Sequence, residues 1–335
     1  MEEVTPVESM IRRREILIAL GAGVFAGPFF AFAQQPDKIW RLGLFHVGLD
    51  HVPPALDGLK EGLKALGYEE GKNIAYDFRN LADMKDARAT VGELVRNKVD
   101  LIVAFENLPI QAAKDATAEI PIIMLNLSDA VADGFVKSLA RPGGNITGFT
   151  ASGEMPAKEL ELLKEFVPSL KRPLLLFADD DPASLRWVDH ARRAARVLNL
   201  QPVERQAKRA IDVQRIFSEL KPDEVDSVFI CSPHLRLEFH ALILDEASKL
   251  RIPVVGYRAG WVERGALFSY SPDFRAVGRL DMARQAAMIL KGVKPADLPV
   301  EQISQLELVI NKKTATALGI KIPNSLLVRA TKVIE

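Results

Sequence analysis

From residue 38 onward, short apolar runs alternate with longer amphipathic stretches. The runs at 40–45, 74–78, 101–105, 120–125 and 146–150 have the length and composition of buried strands. Between the first two, Leu56, Leu59, Leu63 and Leu66 recur at helical spacing until Gly67 stops them, and 87–96 and 110–117 read as further helices. After Ser152-Gly153 the pattern begins again. A helix carries Leu160, Leu163 and Val167, strands follow at 173–177, 202–205, 227–231, 253–257 and 267–271, and helices at 183–198, 213–220, 239–250 and 274–291. Strands joined by helical crossovers form parallel sheets covered on both faces.

The predicted fold class is therefore α/β, as two open lobes with parallel sheets flanked by helices. A chain of 335 residues exceeds one ordinary core and suits two. The expected division is 38–150 plus 273–300 for the first lobe and 151–272 plus 301–335 for the second. The tail, with Pro295, Pro299 and Pro323, reads as connections and small elements. In open α/β sheets ligands bind beyond the carboxyl ends of strands, so two facing sheet edges make a cleft.

The N-terminal segment carries a different signal. Arg12-Arg13-Arg14 precedes an uncharged stretch, 16–33, that ends in Ala31-Phe32-Ala33. This is the layout of a secretory signal peptide over 1–33, cleaved after Ala33, with Met10 as an alternative start. Arg13-Arg14 leaves the Sec and twin-arginine routes both open. A retained anchor is the competing reading, against which Gly21, Gly23, Gly27 and Pro28 weigh. The glycines of 21–27 do not make a dinucleotide loop, because no strand precedes them.

Composition narrows the partners. Lys plus Arg and Asp plus Glu number 44 each, so net charge favours neither nucleic acid nor an anionic membrane. The single cysteine, Cys231, excludes an internal disulfide and reads as a buried apolar residue. No Gly-x-Ser-x-Gly, Walker A or His-Glu-x-x-His pattern occurs, and His234 and His240 fit a surface helix better than a metal site. The expectation is a monomeric, non-catalytic protein with no cofactor and no metal. An N-terminal helix-turn-helix, which a two-lobed regulator would need, gives way here to the signal segment.

Several segments carry a resemblance. Trp40-Arg41-Leu42-Gly43, 66–74 (LGYEEGKNI), 140–148 (ARPGGNITG), 294–302 (KPADLPVEQ) and Glu307-Leu308-Val309-Ile310-Asn311 together resemble the ABC-transporter substrate-binding family that includes TrpX-like proteins. The resemblance spans almost the whole chain. It implies a type I periplasmic-binding-protein fold, with two Rossmann-like lobes hinged around a ligand cleft, and a periplasmic receptor that delivers a small-molecule ligand to an ABC permease with its cytoplasmic ATPase. Some members are associated with aromatic amino acids such as tryptophan. The chain departs from the family at Ala104-Phe105-Glu106-Asn107-Leu108-Pro109, where bulk and a carboxylate replace small residues. The alternative role is a periplasmic sensor that docks on a signalling receptor.

Candidate ligand-binding residues follow from strand ends. In the first lobe these are His46, Glu106 and Asn107, then Asn126, Ser128 and Asp129. Glu106 can pair with a ligand ammonium or stabilise a helix start; Ser128 and Asp129 also suit helix capping. In the second lobe they are Asp179, Ser232, Tyr257, Arg258 and Tyr270. Asp179-Asp180-Asp181 lacks metal-loop spacing, and Pro182 makes Asp181 an N-cap. Arg258 can clamp a carboxylate or form a surface ion pair, and Tyr270 can stack on a ligand or pack beside the hinge.

Overall fold

The computed structural model describes residues 38–47, 54–81, 86–126, 129–151 and 153–335. The proposed signal peptide lies outside them.

The first half alternates as read: β1 (Trp40–Val47), α1 (Pro54–Ala65), β2 (Ile74–Leu81), α2 (Ala87–Arg96), β3 (Leu101–Phe105), α3 (Asn107–Ala116), β4 (Ile122–Asn126) and β5 (Ile146–Thr150). These strands lie in the order β5-β4-β3-β1-β2, every pair parallel. Along β3, Leu101, Val103 and Phe105 enter one core cluster while Ile102 and Ala104 enter another, so both faces of the sheet are covered. Burying each such Leu, Val or Phe contributes about 1.5–3 kcal/mol. That stability fixes the strand ends from which the site is built.

The second half runs α4 (Met155–Phe166), β6 (Pro173–Phe177), α5 (Pro182–Val197), β7 (Val203–Gln206), α6 (Ala210–Glu219), β8 (Ser227–Ile230), α7 (Pro233–Glu238), α8 (His240–Lys249), β9 (Val255–Gly256), α9 (Ala259–Glu263) and β10 (Phe268–Pro272). The helix expected over 239–250 is preceded by a separate α7, started by Pro233 and the Ser232 cap. The strand expected over 253–257 keeps only two residues in its ladder, because Tyr257 and Arg258 turn away toward α9.

A continuous helical stretch then combines α10 (Phe274–Ala276), a π-turn over Val277–Met282 and α11 (Ala283–Leu290). It packs on α1 in the first half. Gly58, Gly62 and Gly278 permit this approach, since a Cβ on each would run into the backbone of Arg275, Arg279 and Ala55 respectively. The tail supplies β11 (Glu301–Gln302), β12 (Leu306–Asn311), α12 (Lys312–Ala317), α13 (Asn324–Arg329) and β13 (Lys332–Ile334).

β11 pairs parallel with β5 and completes a six-stranded first sheet. Residues 301–302 therefore pair in the first sheet, whereas the sequence boundary put them with the second. The second half holds a parallel sheet β7-β6-β8 and a mixed sheet β13-β12-β10-β9, in which β10 and β12 are antiparallel. A lone bridge, Val228 to Val254, connects the two. Among the described residues the chain passes between the halves three times, after β5, after β10 and after β11. No helix among them is long and apolar enough to cross a membrane.

Candidate functional site

A cavity of about 260 Å³ opens where the carboxyl ends of the first-sheet strands meet the segment after β9. From the first sheet, His46 and Leu125 are the next-to-last residues of β1 and β4, and Phe105 ends β3. Arg258, Ala259 and Gly260 enter from the second half. The crossing segments add Asp273, Phe274 and Glu307.

Glu106 sits between β3 and α3 with φ 70° and ψ 160°. That region is open to glycine and costs other residues about 1–3 kcal/mol. Its side chain makes no cap hydrogen bond to α3. Instead Oε1 accepts a hydrogen bond of 2.9 Å from the Tyr257 hydroxyl of the second half. Burial pushes the Glu106 carboxyl above its usual range, against the pull of the Tyr257 hydrogen bond and the Arg258 and Arg236 charges. Burial, reinforced by the Glu106 carboxylate, holds the Tyr257 phenol well above its ordinary value, so it remains the donor.

Behind Tyr257 stands Arg236, only 5% exposed. Its Nε donates to the Ile230 carbonyl at 2.8 Å, and its guanidinium lies 4.1 Å from the Trp187 ring centroid and 5.0 Å from that of Tyr257. Its charge partner is Glu159 of α4, with Oε2 at 3.6 Å. Burial pushes the Glu159 carboxyl up to about 7 while Arg236 opposes the rise. Groups from α4, α5 and β8 thus meet at Arg236 of α7, which backs Tyr257.

The cavity charges are uneven. Arg258, half-buried at the cap of α9, makes no ion pair among the described residues. Glu307 is pushed up to about 7 by burial, then by the nearby Asp273 and Glu263 carboxylates. Asp273 accepts from the Ala276 amide at 3.0 Å and so starts α10. Arg275 is engaged by Glu61 on the exposed side. One unpaired cation and several carboxylates therefore border an apolar floor of Phe105, Leu125 and Phe274.

Of the residues singled out from sequence, His46, Glu106 and Arg258 line this cavity, and Tyr257 joins them through Glu106. His46 is 4% exposed, its ring 6.2 Å from that of Phe105. Asn107 is beside the cavity but donates to Asp133 Oδ2 at 2.9 Å, and Asp133 in turn pairs with Arg186 of α5. Asp129 accepts from the Val131 and Ala132 amides at 2.9 and 3.0 Å, a local turn bond. Ser232 is fully buried and accepts from the Leu235 amide at 3.3 Å as the cap of α7. Asp179 is exposed and pairs with Lys208 at 2.6 Å, which lowers its pKa. Tyr270 packs against the core of the second half. Asn126 is placed as the last residue of β4, and Ser128 lies outside the described residues.

Sequence reading missed Phe274, Asp273 and Glu307, which flank chain crossings instead of closing a βαβ unit. It also missed Arg236 with Glu159. A basic residue one turn into a Pro-started helix was the available signal, but nothing in the sequence names its partners.

Comparison with known proteins places this geometry. The chain is 30% identical over 331 residues to a tyrosine-binding protein of Clostridioides difficile strain R20291, covering 93% of this chain and 94% of the relative. The structure of an ABC domain in complex with L-Trp from Streptococcus pneumonia superposes with a TM-score of 0.78 at 27% identity, over 89% of this chain and 100% of that one. A ligand-free, open substrate-binding protein with adhesive properties from Clostridium difficile gives 0.69 at 28% identity, over 88% and 99%. The fold is that of type I periplasmic binding proteins. With residues 46–334 matching the family described as ABC transporter substrate binding protein, the chain belongs to the ABC-transporter substrate-binding family.

Proposed function

We propose that this protein is the extracytoplasmic receptor of an ABC importer and that its cleft takes an amino acid with an apolar or aromatic side chain. The observation that carries the reading is Arg258, a half-buried cation without an ion pair, bordering the same cavity as Glu106 and Glu307 over an apolar floor. A guanidinium clamps a carboxylate in a two-bond fork, a carboxylate takes an ammonium, and the floor covers a side chain. The relatives said to bind tyrosine and L-Trp support this class of solute.

In this reading the two halves are lobes, the first comprising 38–150 with 273–303 and the second 153–272 with 306–335. Solute bridging them favours the closed arrangement over the open one, which only differential affinity can do. The closed lobes are then recognised by the permease, and its ATPase drives release. Export by the segment 1–33 puts the receptor on the outer side of the membrane.

Thermal melting of the purified chain against the common amino acids tests the proposal. A solute that binds only the folded state raises the melting temperature, and goes on raising it with the logarithm of its concentration above Kd. The expected outcome is a rise with tyrosine or tryptophan exceeding that with aspartate or lysine, and its loss in Arg258→Ala. No response to any amino acid would sink the assignment of solute class.

A further inference from the structure

We propose that Glu106 and Tyr257 form a latch between the lobes that favours the closed arrangement through the chain's own residues, so that solute completes a closure already under way. The inference rests on the reading above only in treating the two halves as lobes that move. It makes Glu106 a positioning residue for closure.

The first argument is the backbone. With φ 70° and ψ 160°, Glu106 occupies a conformation that glycine adopts freely and a residue with a side chain does not. Such strain persists where surrounding contacts over-determine it. The carboxylate forgoes a cap on α3, and its hydrogen bond from Tyr257 joins residues 151 apart in sequence, one from each lobe.

The second argument is that the Tyr257 side is fixed in advance. Arg236 covers the phenol ring, and is itself held by the Ile230 carbonyl, the Trp187 face and the Glu159 carboxylate. A donor that is already oriented loses little freedom when the bond forms. Burial raises the Glu106 carboxyl above its usual range, and the Tyr257 hydrogen bond, Arg258 and Arg236 pull against that rise, so in either protonation state Oε1 remains an acceptor for the phenol.

A second interlobe contact shows that the latch is not a lone accident of packing. Asp133, held by Asn107 of the first lobe, pairs with Arg186 of α5 in the second. Consistent with a closed arrangement, the fold superposes better on the tryptophan complex than on the open, ligand-free relative.

The test measures interlobe distance with no solute added. Glu119→Cys and Val197→Cys place one spin label on each lobe at exposed sites, while buried Cys231 stays out of reach. In the labelled parent the short-distance population is expected to be the majority. Tyr257→Phe, which deletes one oxygen, and Glu106→Gly, which deletes the carboxylate and relieves the backbone, are each expected to make it a minority. The double variant should open no further than either single variant, because both remove the same bond. Glu106→Gly should also melt no lower than the parent, which separates opening from misfolding.

Distance distributions that stay as in the parent in Tyr257→Phe and Glu106→Gly would overturn the latch. So would effects that add in the double variant. Since no solute takes part, failure here leaves the amino-acid reading to stand or fall on the melting experiment.

Discussion

The two lobes reach the cleft by different means. The first presents the ends of one six-stranded parallel sheet, with apolar Phe105 and Leu125 at strand termini and α1 seated tightly on the stretch 274–290. The second divides into sheets of three and four strands joined by a single bridge. Its cleft edge, Arg258 to Gly260, is backed by long side chains, Tyr257, Arg236 and Glu159, that hold one another. Position in the first lobe is set by backbone and close packing; in the second it is set by charge and hydrogen bonding. The first should therefore be sensitive to added volume, and the second to loss of a charge.

The largest effect is expected in the second lobe. Arg236→Met leaves Glu159 buried without its countercharge, and breaking a buried pair in this way costs about 3–5 kcal/mol. Adding Glu159→Leu should recover most of that loss, since an uncharged pair of similar volume removes the stranded carboxylate. Urea unfolding of the single and double variants measures both. A double variant as unstable as the single would mean that Arg236 acts through packing on Trp187 and Tyr257, and would blur the contrast between the lobes.

In the first lobe the corresponding lesion is volume. Gly58→Val forces a side chain against the Arg275 carbonyl where α1 meets the helix after β10, and overpacking of this kind costs about 1–3 kcal/mol. The same urea measurement applies. A neutral result would show that the contact between α1 and the helix after β10 yields, and that backbone packing does not set the first lobe's geometry.

Much of this architecture is legible in sequence, for a physical reason. β3, β5, β6 and α2 coincide with their apolar runs because nothing but burial decides them. Asp181 reads correctly as a cap because Pro182 marks the helix start, whereas Ser232, expected at the cleft as a ligand-binding residue, caps α7 instead. Glu106 and Arg258 were visible as strand-end residues, since topology alone brings strand ends to a cleft. The Glu106 backbone conformation was not visible, because it depends on a partner in the other lobe. Nor was the Arg236 cluster, whose members come from α4, α5, α7 and the end of β9. The π-turn at Val277–Met282 lies inside the stretch expected as one helix over 274–291 and was not foreseen there.

A pH titration sharpens the comparison further, with a smaller effect. Burial raises the Glu159 carboxyl to about 7 from its ordinary 4.5. The folded state thus holds this proton more tightly than the unfolded state. Its stabilising contribution is fully present below about pH 4.5 and is lost as pH rises through about 7. Glu159→Gln removes the titration. The unfolding free energy of the parent minus that of the variant should therefore fall across this window. Glu307 is also raised to about 7 but is present in both proteins, so it drops out of the difference. A flat difference would mean that Arg236 compensates the carboxylate fully.

The smallest expected change in stability is the one that best separates folding from binding. Gly260 lines the cavity, and a Cβ placed on it meets no atom within 4 Å. Gly260→Ala should therefore shift unfolding by no more than about 0.5 kcal/mol, as for a substitution that disturbs no packing. The added methyl nevertheless enters a space of about 260 Å³ beside Arg258. A solute whose carboxylate rests on that guanidinium would meet it, so affinity measured by calorimetry should drop while the melting temperature without solute holds. Glycine would then serve the second lobe by leaving room for solute, and the first, at Gly58, by leaving room for backbone. If affinity is untouched, the solute lies on the Glu106 side of the cavity and Arg258 is not its clamp.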